Sequence, residues 1–304
     1  MAPVRDRESL VGGGLIALAS LQFGIVVVVG TQLLRGGLSV TAMLAIRFAV
    51  AGAVLLMIQA GRRKPLLPAA GERLWLALLG LAGYAVEAAL FFAAIRYGTA
   101  TAVTLLFFTY PVLVALISMA IGRGTPGRLV AGAMAAAIAG AAIVVAAGGA
   151  VAIRPAGIAL ALASAVMFAA YLTGVDHVMR RTPPLTASAW VAIWASIGLF
   201  ASLTIGSGRH APGPAEEWIR VAIMGLATGG AFVCLMAGLR MLGPVRTSVV
   251  AALEPLSSAI LATIVLDEPL SAATAAGGLL ILGGATTASL ARREPVEVTE
   301  SEIP

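Results

Sequence analysis

The chain has 304 residues, 60% of them hydrophobic and 11% charged, with a net charge of +6 and a mean hydropathy of +1.00. A soluble globular domain carries roughly 25% charged residues, so this composition excludes one. The basic residues punctuate long apolar runs instead of forming a patch, which excludes nucleic acid as a partner, and the single cysteine, Cys234, excludes an intrachain disulfide.

In chain order, a polar tail over 1–10 leads into an apolar run from about Val11. That run is too long for a signal peptide and has no A-x-A cleavage site at its end, so it reads as a retained membrane span. Ten helices are predicted: 11–34, 39–60, 73–96, 99–121, 127–149, 155–179, 185–206, 217–241, 244–266 and 270–291. Each has about 20 apolar residues, enough to cross a hydrocarbon core of about 30 Å. Helices are required because unpaired backbone groups cannot face lipid, and the runs lack the alternation of a membrane β-barrel. Arg62-Arg63-Lys64-Pro65, Arg123-Gly124-Thr125-Pro126 and Arg181-Thr182-Pro183-Pro184 mark three of the breaks, since proline cannot continue a helix and glycine ends one cheaply. The tail over 292–304 is polar and acidic.

Ten spans put both termini on one face. With that face in the cytoplasm, fourteen Lys and Arg fall in inner segments and five in outer ones, with Arg47 inside a helix. This is the positive-inside pattern, and it predicts a multi-pass protein of the cell inner membrane with cytoplasmic ends.

The chain repeats itself at an offset of 144 residues. Ala17-Leu18-Ala19-Ser20 falls on Ala161-Leu162-Ala163-Ser164, Glu72 on Glu216, Arg96 on Arg240, Pro111 on Pro255 and Gly140-Ala141 on Gly284-Ala285. Each half, 11–149 and 155–291, holds five spans. An odd number forces the second copy to enter the membrane upside down, and inverted repeats of this kind mark secondary transporters. The predicted fold is therefore all-α and integral to the membrane: ten transmembrane helices in two inverted five-helix repeats.

Arg47-Phe48, Ala93-Ala94-Ile95-Arg96-Tyr97, Tyr110-Pro111, Leu253-Glu254-Pro255-Leu256, Asp267-Glu268-Pro269-Leu270 and the glycines from Gly277 to Gly284 together resemble the EamA family of the drug/metabolite transporter superfamily, over about residues 11 to 291. In size and pattern the chain is similar to YddG-type amino-acid exporters. The resemblance implies a carrier of small metabolites with no cofactor. One feature departs from the family. Its members often carry an acidic residue after the fourth helix as well as the ninth, and here the counterpart of Glu268 is Gly124.

Three ionisable residues lie well inside spans: Arg47, Glu87 and Glu254. A charge at mid-bilayer is costly, so such residues face a cavity or a partner. Arg47 and Glu87 sit about 12 and 13 Å from the same membrane face on consecutive helices, which predicts an ion pair, either functional or purely structural. Glu254 has no cation at equal depth. A desolvated glutamate of that kind suits proton coupling or contact with an amino group, and equally a neutral packing device bonded to backbone. Pro255 removes a helix donor beside it. Tyr110-Pro111 is its counterpart in the first half, so both kinked helices are expected to present Glu254 and Tyr110 to one central cavity. Aromatic residues gather in helices three, four, six and seven. Among them Tyr84, Phe107, Tyr171 and Trp194 are candidates for contact with an apolar or aromatic solute, and Gln22 is an uncharged candidate. Helices five and ten hold none and are built from small residues, which suits peripheral packing or a homodimer contact. Asp176 and His177 are expected at a solvated helix end.

The only lysine, Lys64, stands between Arg63 and Pro65, which excludes a P-loop. Neither H-E-x-x-H nor G-x-S-x-G occurs, so neither a zincin site nor a nucleophile elbow is present, and no metal site is expected. The resulting expectation is a carrier, not an enzyme. It exports small metabolites, foremost amino acids with aromatic or apolar side chains, through a midplane cavity. A multidrug or cationic-compound exporter is the alternative within the superfamily; a channel-like pore or an intramembrane enzyme are alternatives of another class.

Overall fold

The computed structural model describes residues 2–63, 65–120, 128–146, 153–178, 180–203, 209–251, 253–268 and 270–290. It is all-α, with ten apolar helical segments in two inverted sets of five. Six of the segments are long and apolar enough to cross a membrane on their own, and others are interrupted. Among the described residues the sole strand-like feature is one isolated bridge, Leu38 with Arg209.

In the first half α1 spans Ala2–Arg35 and α2 Val40–Gly61. The third segment is composite: a 3₁₀ turn at Ala70–Glu72, α3 at Arg73–Leu78, a π-helical turn at Leu79–Tyr84, and α4 at Ala85–Ile95. The fourth is split into α5, Ala100–Phe107, and α6, Tyr110–Ala120, and the fifth is α7, Arg128–Ala146. The second half has α8 at Pro155–Val178, α9 at Pro184–Ala201, α10 at Ala215–Val250, α11 at Leu253–Leu266 and α12 at Ala272–Leu290.

Several boundaries differ from the sequence expectation, among them the seventh helix, expected to 206, which ends at Ala201. Residues 2–10, expected as a tail, continue α1, because Arg5, Arg7 and Glu8 are good helix formers; the apolar span itself starts at Leu10. The expected break before Pro244 is absent, and α10 runs through it to Val250. A proline removes a single donor, and here that loss does not stop the helix. The chain breaks instead at residue 251, just before α11.

That break has a twin. Phe108 and Thr109 interrupt the fourth segment, with the Thr109 hydroxyl donating to the Leu106 carbonyl at 2.9 Å. Helices α6 and α11 both restart at a residue followed by proline within the first turn: Tyr110-Pro111 and Leu253-Glu254-Pro255. Proline disfavours helix in the residue before it and is tolerated at a helix start. The two prolines therefore turn kinks into full interruptions at symmetric depths.

Packing follows the same symmetry. Helix α1 lies on α10 and α11, while α8 lies on α4, α5 and α6. Helices α2 and α9 face one another, as do α7 and α12. A Cβ on Gly140 of α7 would meet the Gly277 carbonyl at 2.5 Å, so the small residues of the fifth and tenth segments serve a close contact within the chain. Gly225 fits against the Arg47 carbonyl and Val50, and Gly80 against the Val191 carbonyl and Trp194. Val191 and Trp194 are the 144-residue counterparts of Arg47 and Val50, yet Gly80 to Arg96 is one residue longer than Gly225 to Arg240. The π turn absorbs that extra residue, which is the usual role of a single π turn in an α-helix.

Loops on each face repeat the pattern. On one face the Glu72 carboxylate accepts from the backbone N–H groups of Arg180, Arg181 and Thr182 at 3.0, 2.8 and 2.8 Å. On the other, Glu217 pairs with Arg209 at 2.6 Å, and Arg209 donates to the Gly36 carbonyl at 2.7 Å. Glu217 holds the Arg209 guanidinium above its ordinary range through that hydrogen bond.

Candidate functional site

A small cavity of about 40 Å³ lies between the two halves. The first half supplies Phe23, Val26 and Val27 from α1, Arg47 from α2, Tyr84, Glu87, Phe91 and Phe92 from the third segment, and Phe107 from α5. The second half supplies Phe168 from α8 and Glu254 from α11. All three intramembrane charges expected from the sequence border this one space.

Arg47 is buried. Its Nε donates to the Thr228 hydroxyl at 2.7 Å, and that hydroxyl donates to the Met224 carbonyl at 2.7 Å. The guanidinium carbon sits 4.6 Å from the centre of the Phe48 ring and 5.7 Å from that of Phe92, within cation–π range. The Ser164 hydroxyl on α8 lies 3.1 Å from both the carboxylate and the backbone carbonyl of Glu87 on α4. The expected Arg47–Glu87 ion pair is not among the ion pairs of the described residues. Each charge turns instead to a hydroxyl of the opposite half, Arg47 to α10 and Glu87 to α8.

Glu254 sits in the first turn of α11, where the chain restarts after its break. The Ser257 hydroxyl donates to the Glu254 backbone carbonyl at 2.8 Å, with the Ser20 carbonyl 3.1 Å away. Among the described residues none donates a hydrogen bond to the Glu254 carboxylate. Two carboxylates and one guanidinium thus share the cavity.

The walls are aromatic. Phe107 packs edge-on to Phe91 at 5.3 Å and tilted against Phe168 at 5.2 Å. Tyr84 packs edge-on to Phe232 at 4.5 Å and Phe48 at 5.7 Å. Arg47, Tyr84, Glu87, Phe107 and Glu254, all expected from the sequence, line the cavity. Tyr110, Tyr171, Gln22 and Trp194 do not. Tyr110 is buried behind Phe107 and Phe168, 5.3 and 4.8 Å away, so the symmetric presentation of Glu254 and Tyr110 does not occur. Tyr171 backs Tyr84 at 5.1 Å. Gln22 is set in the space left by Gly230, and Trp194 rests on Gly80. The side chains of Asp176 and His177 and the residue Gly124 lie outside the described residues. Ser164 and Thr228 were missed as site residues. Their signal was a small hydroxyl inside an apolar helix, which becomes meaningful only once the facing charge is known. No three His, Cys, Asp or Glu side chains cluster among the described residues.

The sequence profile described as the EamA-like transporter family matches residues 10–146 and, separately, residues 155–290. No curated protein matches. A solved structure described as "Crystal structure of protein" is similar over 90% of this chain and 96% of its own, with a TM-score of 0.65 at 20% identity. That likeness concerns the fold alone.

Proposed function

The chain belongs to the EamA-like transporter family, and from that premise we propose that it is a secondary transporter exporting amino acids, foremost those with aromatic or apolar side chains. The observation that carries this reading is one cavity between inverted repeats that combines Arg47, two carboxylates and an aromatic wall. A zwitterion carries both charges that such a cavity complements. The Arg47 guanidinium suits a carboxylate, because its planar donors match two oxygens. Glu254, whose carboxylate receives no hydrogen bond among the described residues, suits an ammonium group. Phe91, Phe92, Phe107 and Phe168 suit an apolar or aromatic side chain. Alternating access then follows from rocking one half against the other about this midplane site. The positive-inside bias supports a cell inner membrane location with both termini in the cytoplasm.

The test is flux of labelled phenylalanine, methionine, threonine and a cationic dye into liposomes carrying the purified protein. Saturable amino-acid flux that exchanges across the membrane is expected. The excess of one carboxylate over cations in the cavity favours a second reading, export of organic cations. Dye flux without amino-acid flux would select that reading, and unsaturable conductance would select a pore.

A further inference from the structure

Glu268 follows α11 and joins three helix ends at one point. Its Oε1 accepts from the Arg35 guanidinium at 2.8 Å and from the Ala100 N–H at 3.3 Å. Its Oε2 accepts from the N–H and the hydroxyl of Thr101, both at 3.3 Å. Arg35 also donates to the Leu266 carbonyl at 3.1 Å. The Ala100 and Thr101 donors belong to the first turn of α5, where unpaired N–H groups and the helix dipole favour an anion. Asp267, just before Glu268, has φ +55°, a left-handed conformation that costs energy for a residue with a Cβ. The chain bends there in the direction that carries Glu268 inward.

The joined helices are α1, α5 and α11. All three wall the cavity, through Val27, Phe107 and Glu254 respectively. While Glu268 is bound they cannot part on the Arg35 face. The sequence of the other half does not repeat the residues of this contact. At the 144-residue offset Glu268 becomes Gly124, Arg35 becomes Met179, Ala100 becomes Pro244 and Thr101 becomes Val245. No carboxylate, no guanidinium, no hydroxyl and, at Pro244, no backbone donor stands in the matching positions. The loop contacts of Glu72 and of Glu217 differ from this one, because they occur on both faces and favour neither state.

We propose that Glu268, with Arg35 and the first turn of α5, is a one-sided gate lock: it holds the transporter shut on the Arg35 face and sets that closed state as the resting one. This rests on the alternating-access reading above. A ligand or mutation shifts such an equilibrium only through contacts made in one state, and this contact qualifies. Removing a hydrogen bond to a charged group that exists in one state alone shifts the populations by about tenfold or more.

Accessibility reads the lock without needing the solute. In a Cys234→Ser background, Val27→Cys places the only thiol on the cavity wall. A membrane-impermeant maleimide is applied from the Arg35 face in whole cells, and from the other face in inverted vesicles. With Glu268→Gln the labelling rate from the Arg35 face is expected to rise about tenfold, and that from the other face to fall. Arg35→Gln is expected to act in the same direction but less, because its side chain is 53% exposed and Glu268 only 7%. Should Glu268→Gln fail to fold, Thr101→Val keeps the carboxylate and is expected to give a smaller rise on the same face. Unchanged labelling in a folded variant overturns the lock, as does an equal rise from both faces, which marks a loosened fold. Failure to find any transported solute would remove the proposed function and leave the labelling result standing.

Discussion

The Nε of Arg47 and the hydroxyl of Thr228 lie 2.7 Å apart across the interface of the two halves. Thr228 is the 144-residue counterpart of Tyr84, which lines the cavity beside Arg47 in the first half. The repeat therefore places a polar residue at the same helical position twice, once to line the cavity and once to hold its cation. Thr228→Val keeps the shape and removes the acceptor. The expected cost is about 1.5–3 kcal/mol, the range for a hydrogen bond to a charged group, seen as a lower unfolding midpoint in detergent. A rise in KM for the transported amino acid is expected with it. A midpoint and KM both equal to the wild type would show that Thr228 does not position Arg47.

The two cavity carboxylates differ in their surroundings, and their neutral variants are expected to differ too. Glu87 is held by Ser164, so Glu87→Gln keeps a hydrogen-bonding partner and is expected to fold with reduced flux. At Glu254, Gln removes the charge without breaking a hydrogen bond among the described residues, so stability is expected to hold. If Glu254 couples transport to protons, flux through Glu254→Gln loses its response to an imposed pH gradient. Flux that still follows the gradient would assign the coupling to another group.

The class of fold was open to a reader of the sequence because membrane burial writes itself into composition, and the repeat was open because Arg96, Pro111 and Glu72 have matches at one constant offset. The three intramembrane charges were found for a similar reason: each is conspicuous against an apolar helix. Partners were harder. Equal depth suggested that Arg47 would pair with Glu87, but depth leaves the azimuth of a side chain undetermined, and both residues turned to hydroxyls of the other half. Tyr110 was expected in the cavity by symmetry with Glu254, yet Phe107 and Phe168 fill the space in front of it. A break was expected between the helices at 217–241 and 244–266, yet α10 runs on through Pro244 to Val250, since tertiary packing outweighs the loss of one backbone hydrogen bond. The π turn left a one-residue slip in the glycine spacing, but that slip becomes readable only when Gly80 and Gly225 are known to face equivalent residues.

Two glycines are expected to separate stability from transport. A Cβ on Gly140 would meet the Gly277 carbonyl at 2.5 Å and the Ile281 nitrogen at 2.8 Å, and neither backbone atom can move cheaply. Gly140→Ala is expected to cost about 1–3 kcal/mol of stability and to leave KM unchanged, because no described residue of α7 or α12 lines the cavity. On Gly225 a Cβ would meet the Val50 side chain at 2.6 Å and the Arg47 carbonyl at 3.0 Å. Gly225→Ala pushes the helix that carries Arg47 and is expected to raise KM several-fold. Parallel unfolding and flux curves for the two variants check this, and a KM change in Gly140→Ala would contradict it.

The π turn offers the sharpest separation of fold from site. It sits at Leu79–Tyr84, immediately before Ala85 and Glu87, and the second half does without it. Deleting Gly83 would give the third segment the same residue spacing as its counterpart in α10. The flanking pieces already pack against α9 on one side and α8 on the other, so the helix can close into regular α geometry without moving them. The protein is expected to fold, with an unfolding midpoint within a few degrees of the wild type. One residue corresponds to about 100° of rotation in an α-helix, and this falls on Tyr84, which leaves its edge-on contacts with Phe232 and Phe48. Flux is expected to fall sharply while the fold persists, because the cavity loses a wall beside Arg47. A deletion variant that cannot be purified folded would mean that the π turn serves packing, and one with wild-type flux would remove Tyr84 from the site.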